Sequence, residues 1–187
     1  MGRPSRITRD AVLSCALRVV DEGGLTALTM AAAAKQLAVS PMALYRHVQS
    51  KNDLLDGIVE LLLAEIATAV VLHEDDDLEG ALRRFIDAAE NTAAAHPEAF
   101  LLLLTRPART TAAEAVRDQV YRVLRASEVP DHLTLDAERH VTTVVLGMAA
   151  GHALGRFPPT SNAHLTARFV LTGLTGLTGL TNDKEGE

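Results

Sequence analysis

The chain contains no tryptophan, and aromatic residues make up only 3% of its 187 positions. Its one cysteine, Cys15, rules out an internal disulfide and any centre built on paired thiolates. Alternation of β-branched and polar residues is scarce, while alanine, leucine and threonine abound, so the composition favours an all-α protein. There is no glycine-rich phosphate loop, no Cys/His set at metal spacing and no recognisable nucleophile constellation. His73, His96, His132, His140, His152 and His164 fall in separate segments, each read as a surface or pocket histidine rather than a catalytic base. A non-enzymatic protein without metal or cofactor is expected. Long apolar runs are missing too: the stretch from Ile58 to Leu72 is interrupted by Glu60 and Glu65, which argues against a membrane span. The basic N-terminus lacks the apolar core of a signal peptide, and a cytoplasmic protein without membrane contact follows.

With 48% hydrophobic and 22% charged residues, the chain is long enough to bury a good core. Its net charge of −6 is unevenly spread. Residues 1–51 hold seven Lys and Arg against Asp10, Asp21 and Glu22, a net of +4, whereas 52–187 carry a net of −10. A basic head on an acidic body suits a head that binds a polyanion.

The head is organised around TMAAAAKQLAVSPMALYRHVQSK, from Thr29 to Lys51. Thr29 is the expected N-cap of one short helix, and Ser40-Pro41 restarts a second, with Ser40 as N-cap and Pro41 at the first helical position. At about 100° per residue, Leu44 and Val48 share an inward face, and Met42 and Arg46 point about 160–200° away from it. Arginine can pair with guanine, and apolar atoms can meet a thymine methyl, so this outward face suits base edges. His47 and Lys51 flank it, where phosphate contacts would position a helix. On spacing alone, an ordinary solvated helix fits equally well. Ahead of this unit, Thr8 caps a first helix that carries Val12, Cys15, Val19 and Val20 inward and ends at Gly23-Gly24, with Cys15 read as a small buried residue. Ser50 and Asp53 read as a capping box for a fourth helix, running from about Asn52 to Leu72.

The segment LTMAAAAKQLAVSPMALYRHVQSKNDLLDGI resembles the DNA-binding segment of the tetracycline-repressor (TetR) family. Val39, Ser40, Leu44, Tyr45, His47, Val48, Ser50, Lys51, Leu54 and Leu55 match that motif in register. Two departures stand out. Ala38 occupies the usual turn glycine, and Ala31 and Ala32 stand where many relatives carry basic residues, leaving Lys35 as the only cation of the first motif helix. The resemblance implies a helix-turn-helix domain at 1–51 and a helical effector-binding and dimerisation domain at 52–187. It implies contacts to a double-stranded DNA operator from Thr29, Lys35, Ser40, Pro41, Met42, Ala43, Tyr45, Arg46, His47 and Lys51. Arg3 and Arg6 of the arm MGRPSR could add phosphate or minor-groove contacts, or belong to a solvated tail.

Beyond the motif, an acidic turn at 74–77 is read as solvated, and helices are expected from Leu78 to about His96, over 98–105, 110–126, 134–156 and 161–180. The last contains LTGLTGLTGL, where glycine at every third position is poor for an isolated helix and implies close packing in this chain or against a second copy. Relatives dimerise by joining two helices from each subunit, here matched by Arg139 to Ala153 and Phe169 to Leu180, so a homodimer is expected. The resemblance further implies an apolar cavity for an unknown small-molecule effector, with Phe85, Phe100, Leu104, Tyr121, His140, Thr143 and Gly147 as candidate walls. Together these expectations describe a repressor released by its effector. The alternatives are a sequence-nonspecific DNA-packaging protein and, less favoured, a helical enzyme.

Overall fold

The computed structural model describes residues 7–70, 78–108, 110–126, 129–157 and 163–179, and every regular element among them is helical. Helix α1 (Arg9–Gly23) starts where the Thr8 hydroxyl accepts the N–H of Ala11. It stops at Gly24, whose φ of 77° lies in the left-handed region. Helix α2 (Met30–Gln36) is capped in the same way by Thr29, whose hydroxyl accepts the N–H of Ala32. With α3 (Pro41–Leu44) these helices close over Val12, Val20, Leu28, Leu44 and Val48, all fully buried.

Helix α4 (Lys51–Ala69) leads out of this head. Leu54, Ile58, Leu62 and Ile66 recur every fourth residue and are fully buried, so one apolar stripe runs its length. It packs first on α1 and further along on α5 (Leu78–Ala95) and α8 (Thr111–Ala126). Where α1 and α4 meet, a Cβ on Gly57 would run into the Leu13 side chain. Helix α5 is the axis of the body. It buries Leu82, Phe85, Ile86, Ala89 and Ala93 against α4, α8, α9 (Thr134–Ala153) and α10 (Ala163–Gly179). Two single turns, α6 (Pro97–Phe100) and α7 (Leu102–Thr105), close the end of the body nearest the head. A 3-10 turn at Asp131–Leu133 leads into α9. One apolar cluster runs through head and body without a break. No helix among the described residues is long and apolar enough to cross a membrane.

The elements differ from expectation in several places. The second motif helix is a single α-turn: after Leu44, the N–H groups of both His47 and Val48 end on the Leu44 carbonyl, at 2.8 and 3.0 Å, so the chain tightens instead of continuing. The expected helix at 98–105 is broken at Leu101. Helix α9 stops at Ala153, short of Arg156, because Gly155 turns left-handed (φ 69°) and Arg156 N–H reaches back to the Gly151 carbonyl. Helix α4 leaves helical geometry at Val70. Arg3, Arg6 and the acidic stretch 74–77 lie outside the described residues.

Candidate nucleic-acid interface

The turn between α2 and α3 shows how the chain manages without the glycine. Ala38 adopts φ 55°; its N–H donates to the Lys35 carbonyl and that of Val39 to the Ala34 carbonyl, both at 3.0 Å. These paired bonds close a Schellman motif. The left-handed backbone costs a non-glycine residue about 1–2 kcal/mol, a strain held by the two bonds and by Ala33 and Ala34 buried beneath. The turn delivers Ser40 in extended geometry with Pro41 at the first helical position; the Ser40 hydroxyl makes no cap bond, so its N-cap role is carried by the backbone alone.

On the far side from the buried pair Leu44 and Val48, Met42 is 73% and Tyr45 51% exposed, and Arg46 is exposed beside them. Ser40, Pro41, Lys35, Thr29 and Lys51 are also exposed, while Ala43 and His47 are half-buried. The surface therefore carries two unshielded apolar side chains among cations, a combination that gains from a partner offering both base edges and phosphates.

The unit is pinned to α4 through Asp53. Its Oδ1 accepts from the Arg9 guanidinium at 2.8 Å, its Oδ2 accepts the N–H of Gln49 at 2.8 Å, and its own N–H donates to the Ser50 hydroxyl at 3.2 Å. The capping box thus reaches one residue further back than expected, to Gln49 instead of Ser50. Arg9 is engaged here, whereas Lys35, Arg46 and Lys51 face outward. Sequence reasoning missed the Arg9–Asp53 pair, because no local pattern links residues 44 positions apart. It also missed the Arg106 guanidinium, which donates to Asp56 Oδ1 at 2.9 Å and ties α7 to α4. Cys15 is buried, its Sγ donating to the Ala33 carbonyl at 3.6 Å. Burial pushes its thiol above the usual range, and Arg18 offsets this only in part. Cys15 is therefore core, not a reactive group.

The seven candidate effector-binding residues do not converge on one cavity. Phe100 is fully buried, and Phe85 is buried beside a void of about 10 Å³ shared with Val120, Leu124 and Val141. Tyr121 is half-buried and Leu104 is 44% exposed. His140, Thr143 and Gly147 form an outward stripe of α9, because the inward one is taken by Ala137, Val141, Val145 and Ala149. His140 instead borders an open groove of about 340 Å³ between α9 and α10, with Leu133, Asp136, Val144, Phe169 and Gly173. Its Nδ1–H donates to the Asp136 carbonyl at 2.6 Å. Phe169 is 73% exposed, and Cβ atoms added to Gly147, Gly173 or Gly176 would meet nothing within 4 Å. The close packing expected around Gly173 and Gly176 is therefore not found among the described residues of this chain.

The family model described as "Bacterial regulatory proteins, tetR family" matches residues 12–58, the span from α1 into α4. An HTH-type transcriptional regulator of Saccharopolyspora erythraea is 27% identical over 150 residues, covering 80% of this chain and 63% of that protein. The chain thus spans less than two thirds of that relative's length. Among solved structures, apo ActR of Streptomyces coelicolor superposes with a TM-score of 0.81 at 18% identity, covering 96% of this chain and 100% of ActR. BioQ in complex with its double-stranded DNA operator superposes with a TM-score of 0.74 at 21% identity, covering 91% of this chain and 99% of BioQ. These two likenesses concern the fold. The match over the head, with Val39, Ser40, Tyr45, His47 and Lys51 in register, places the segment 12–58 in the tetR family of bacterial regulatory proteins.

Proposed function

We propose that the chain is a DNA-binding transcriptional regulator of the cytoplasm and not an enzyme: a repressor that holds a palindromic operator as a homodimer and leaves it when a small-molecule effector binds. Residues 1–51 form the reading head and 52–187 the effector-binding and dimerising body. The observation that carries this reading is the exposed Met42–Tyr45–Arg46 surface, presented on a capped two-helix unit inside the segment that matches the family. Arg46 reads a base edge, Met42 and Tyr45 supply apolar contact, and Lys35, His47 and Lys51 neutralise phosphates. Exposed Thr29, Ser40 and Pro41 and half-buried Ala43 bring backbone close to the duplex, and Arg3 and Arg6 extend the contact.

The dimer is supported by the outer face of α9 and α10, where Phe169, His140 and Gly173 border an apolar groove that water alone fills poorly, and where Gly147 and Gly176 are also open. A second copy across a two-fold axis would cover it and present two heads to two half-sites. For the effector, the void beside Phe85 is too small for any drug-sized molecule. Binding there requires the body to take a second arrangement, and the effector acts by preferring that arrangement over the one described. Helix α4, shared by body and head, carries the change to the spacing of the two readers.

The test is selection of duplexes from random sequence, followed by affinity measurements on the recovered site and on scrambled DNA. Arg46→Ala should cost about 1–3 kcal/mol on the preferred site and little on scrambled DNA. Lys51→Ala should weaken both alike and reduce the salt dependence. Equal affinity of the parent protein for every duplex would instead establish a packaging protein.

A further inference from the structure

His96 joins the head to the body by a route separate from α4. It sits between α5 and α6 as the residue preceding Pro97, yet its side chain makes no local cap bond. The ring reaches across 75 residues of chain: Nδ1 lies 2.9 Å from Asp21 Oδ2, in the last turn of α1, and Nε2 lies 3.5 Å from Glu65 Oε2 on α4. Thr92 of α5, a polar side chain only 1% exposed, donates its hydroxyl to Glu65 Oε1 at 3.2 Å and so orients that carboxylate toward the ring. His96 is itself fixed by backbone, its N–H donating to the Thr92 carbonyl and its carbonyl accepting the Phe100 N–H. Four helices therefore meet at one imidazole.

The charged groups that contact the ring are carboxylates, and on α1 the exposed Arg18 lies one turn before Asp21. Asp21 comes from α1, Glu65 from α4, and Glu98 of α6 places a carboxylate oxygen 3.8 Å from where a Cβ on Gly24 would lie. Glu22 turns aside toward Gln36, and α5 contributes only the neutral Thr92. A neutral imidazole has one N–H and can satisfy one carboxylate, leaving a lone pair aimed at the other. The imidazolium donates to Asp21 and pairs its charge with Glu65 as well. We propose that His96 is a positioning residue for the head, a proton-dependent tie that holds the end of α1 against the body and so fixes the angle at which the reading surface is presented. This rests on the DNA-binding reading for its consequence, but not for the tie itself.

The experiment uses the full chain and the variants His96→Gln, Asp21→Asn and the pair. Amide exchange is followed in the last turn of α1, residues 19–23, at about pH 5.5 and about pH 8. At the lower pH His96→Gln should speed exchange there about threefold to fivefold, the range of a partly exposed ion pair. The Asp21→Asn effect should not add to it, and at the higher pH, where the neutral ring keeps one N–H, the difference should be smaller. Exchange in α9 should stay unchanged, confirming that the variant folds. Affinity for the selected duplex should fall by a similar factor in His96→Gln at the lower pH and by less at the higher. Equal effects at both pH values, or additive effects of the two substitutions, would overturn the tie. If the parent protein selects no duplex, the DNA reading fails while the exchange measurement still decides the tie. Duplex affinity unchanged in His96→Gln, despite faster exchange, would overturn its role in presenting the head.

Discussion

Two sets of glycines divide this molecule. At Gly57 an added Cβ would run into the Leu13 side chain, and at Gly151 into the Phe157 ring. At Gly147, Gly173 and Gly176, by contrast, it would meet nothing within 4 Å. The first set marks where helices of one chain have already closed on each other: α1 on α4 at the base of the head, and α9 on the segment that follows it. The second set lies on the outer face of α9 and α10, beside exposed Phe169 and the open groove. A glycine in a helix costs about 1 kcal/mol against alanine. In the first set, close packing offsets that cost within the protomer. In the second, no contact among the described residues does, and the proposed second copy would supply the offset.

The largest effect expected from this contrast is at Gly57. Gly57→Leu forces a branched side chain into space held by Leu13 and should destabilise the chain by about 3 kcal/mol, the upper part of the overpacking range. The loss should appear in urea denaturation as a lower midpoint at unchanged slope. If stability held, α1 and α4 would not be in the close contact described.

Gly176→Leu sharpens the other half of the comparison. Because the position is open in the protomer, the intrinsic stability of the monomer should change by less than about 0.5 kcal/mol, as at most surface sites. The dimer should weaken by about 1–3 kcal/mol if the second copy approaches there. Sedimentation equilibrium separates the two quantities. A parent protein that remains monomeric at high concentration would remove the dimer from the proposal.

The same contrast explains how much could be read in the chain beforehand. The head was legible because its signals are local. Thr8, Thr29 and Ser50 lie within three residues of the N–H groups they cap, and Leu44 and Val48 sit one turn apart on a buried face. The body was legible only as a set of helices. Whether His140, Thr143 and Gly147 face inward depends on which stripe of α9 meets α5, and their small or polar character fits either side. The ties from Asp53 to Arg9, Asp56 to Arg106 and Asp21 to His96 span 44, 50 and 75 residues. No periodicity connects them, and each residue alone reads as solvated charge. Even in the head, the brevity of α3 was hidden, because PMALYRHV carries the composition of a longer helix and only the doubled bonding at the Leu44 carbonyl ends it.

The smallest predicted effect concerns the turn that the head builds without glycine. Ala38 is exposed, so its contribution is the backbone conformation it is made to hold. Replacing it by glycine removes a left-handed penalty of about 1–2 kcal/mol. The same change makes the unfolded chain more flexible, which returns about 0.4–1 kcal/mol of that gain. Ala38→Gly should therefore stabilise the protein by about 0.5–1 kcal/mol, raising the urea midpoint at constant slope. The Lys35 and Ala34 carbonyls keep their N–H partners in the variant, so α3 stays in place and duplex affinity should remain within about twofold of the parent. A destabilised variant would mean that the Ala38 methyl group makes contacts that the exposed turn does not show. A stabilised variant with weakened DNA binding would mean that the strain itself sets the angle between α2 and α3.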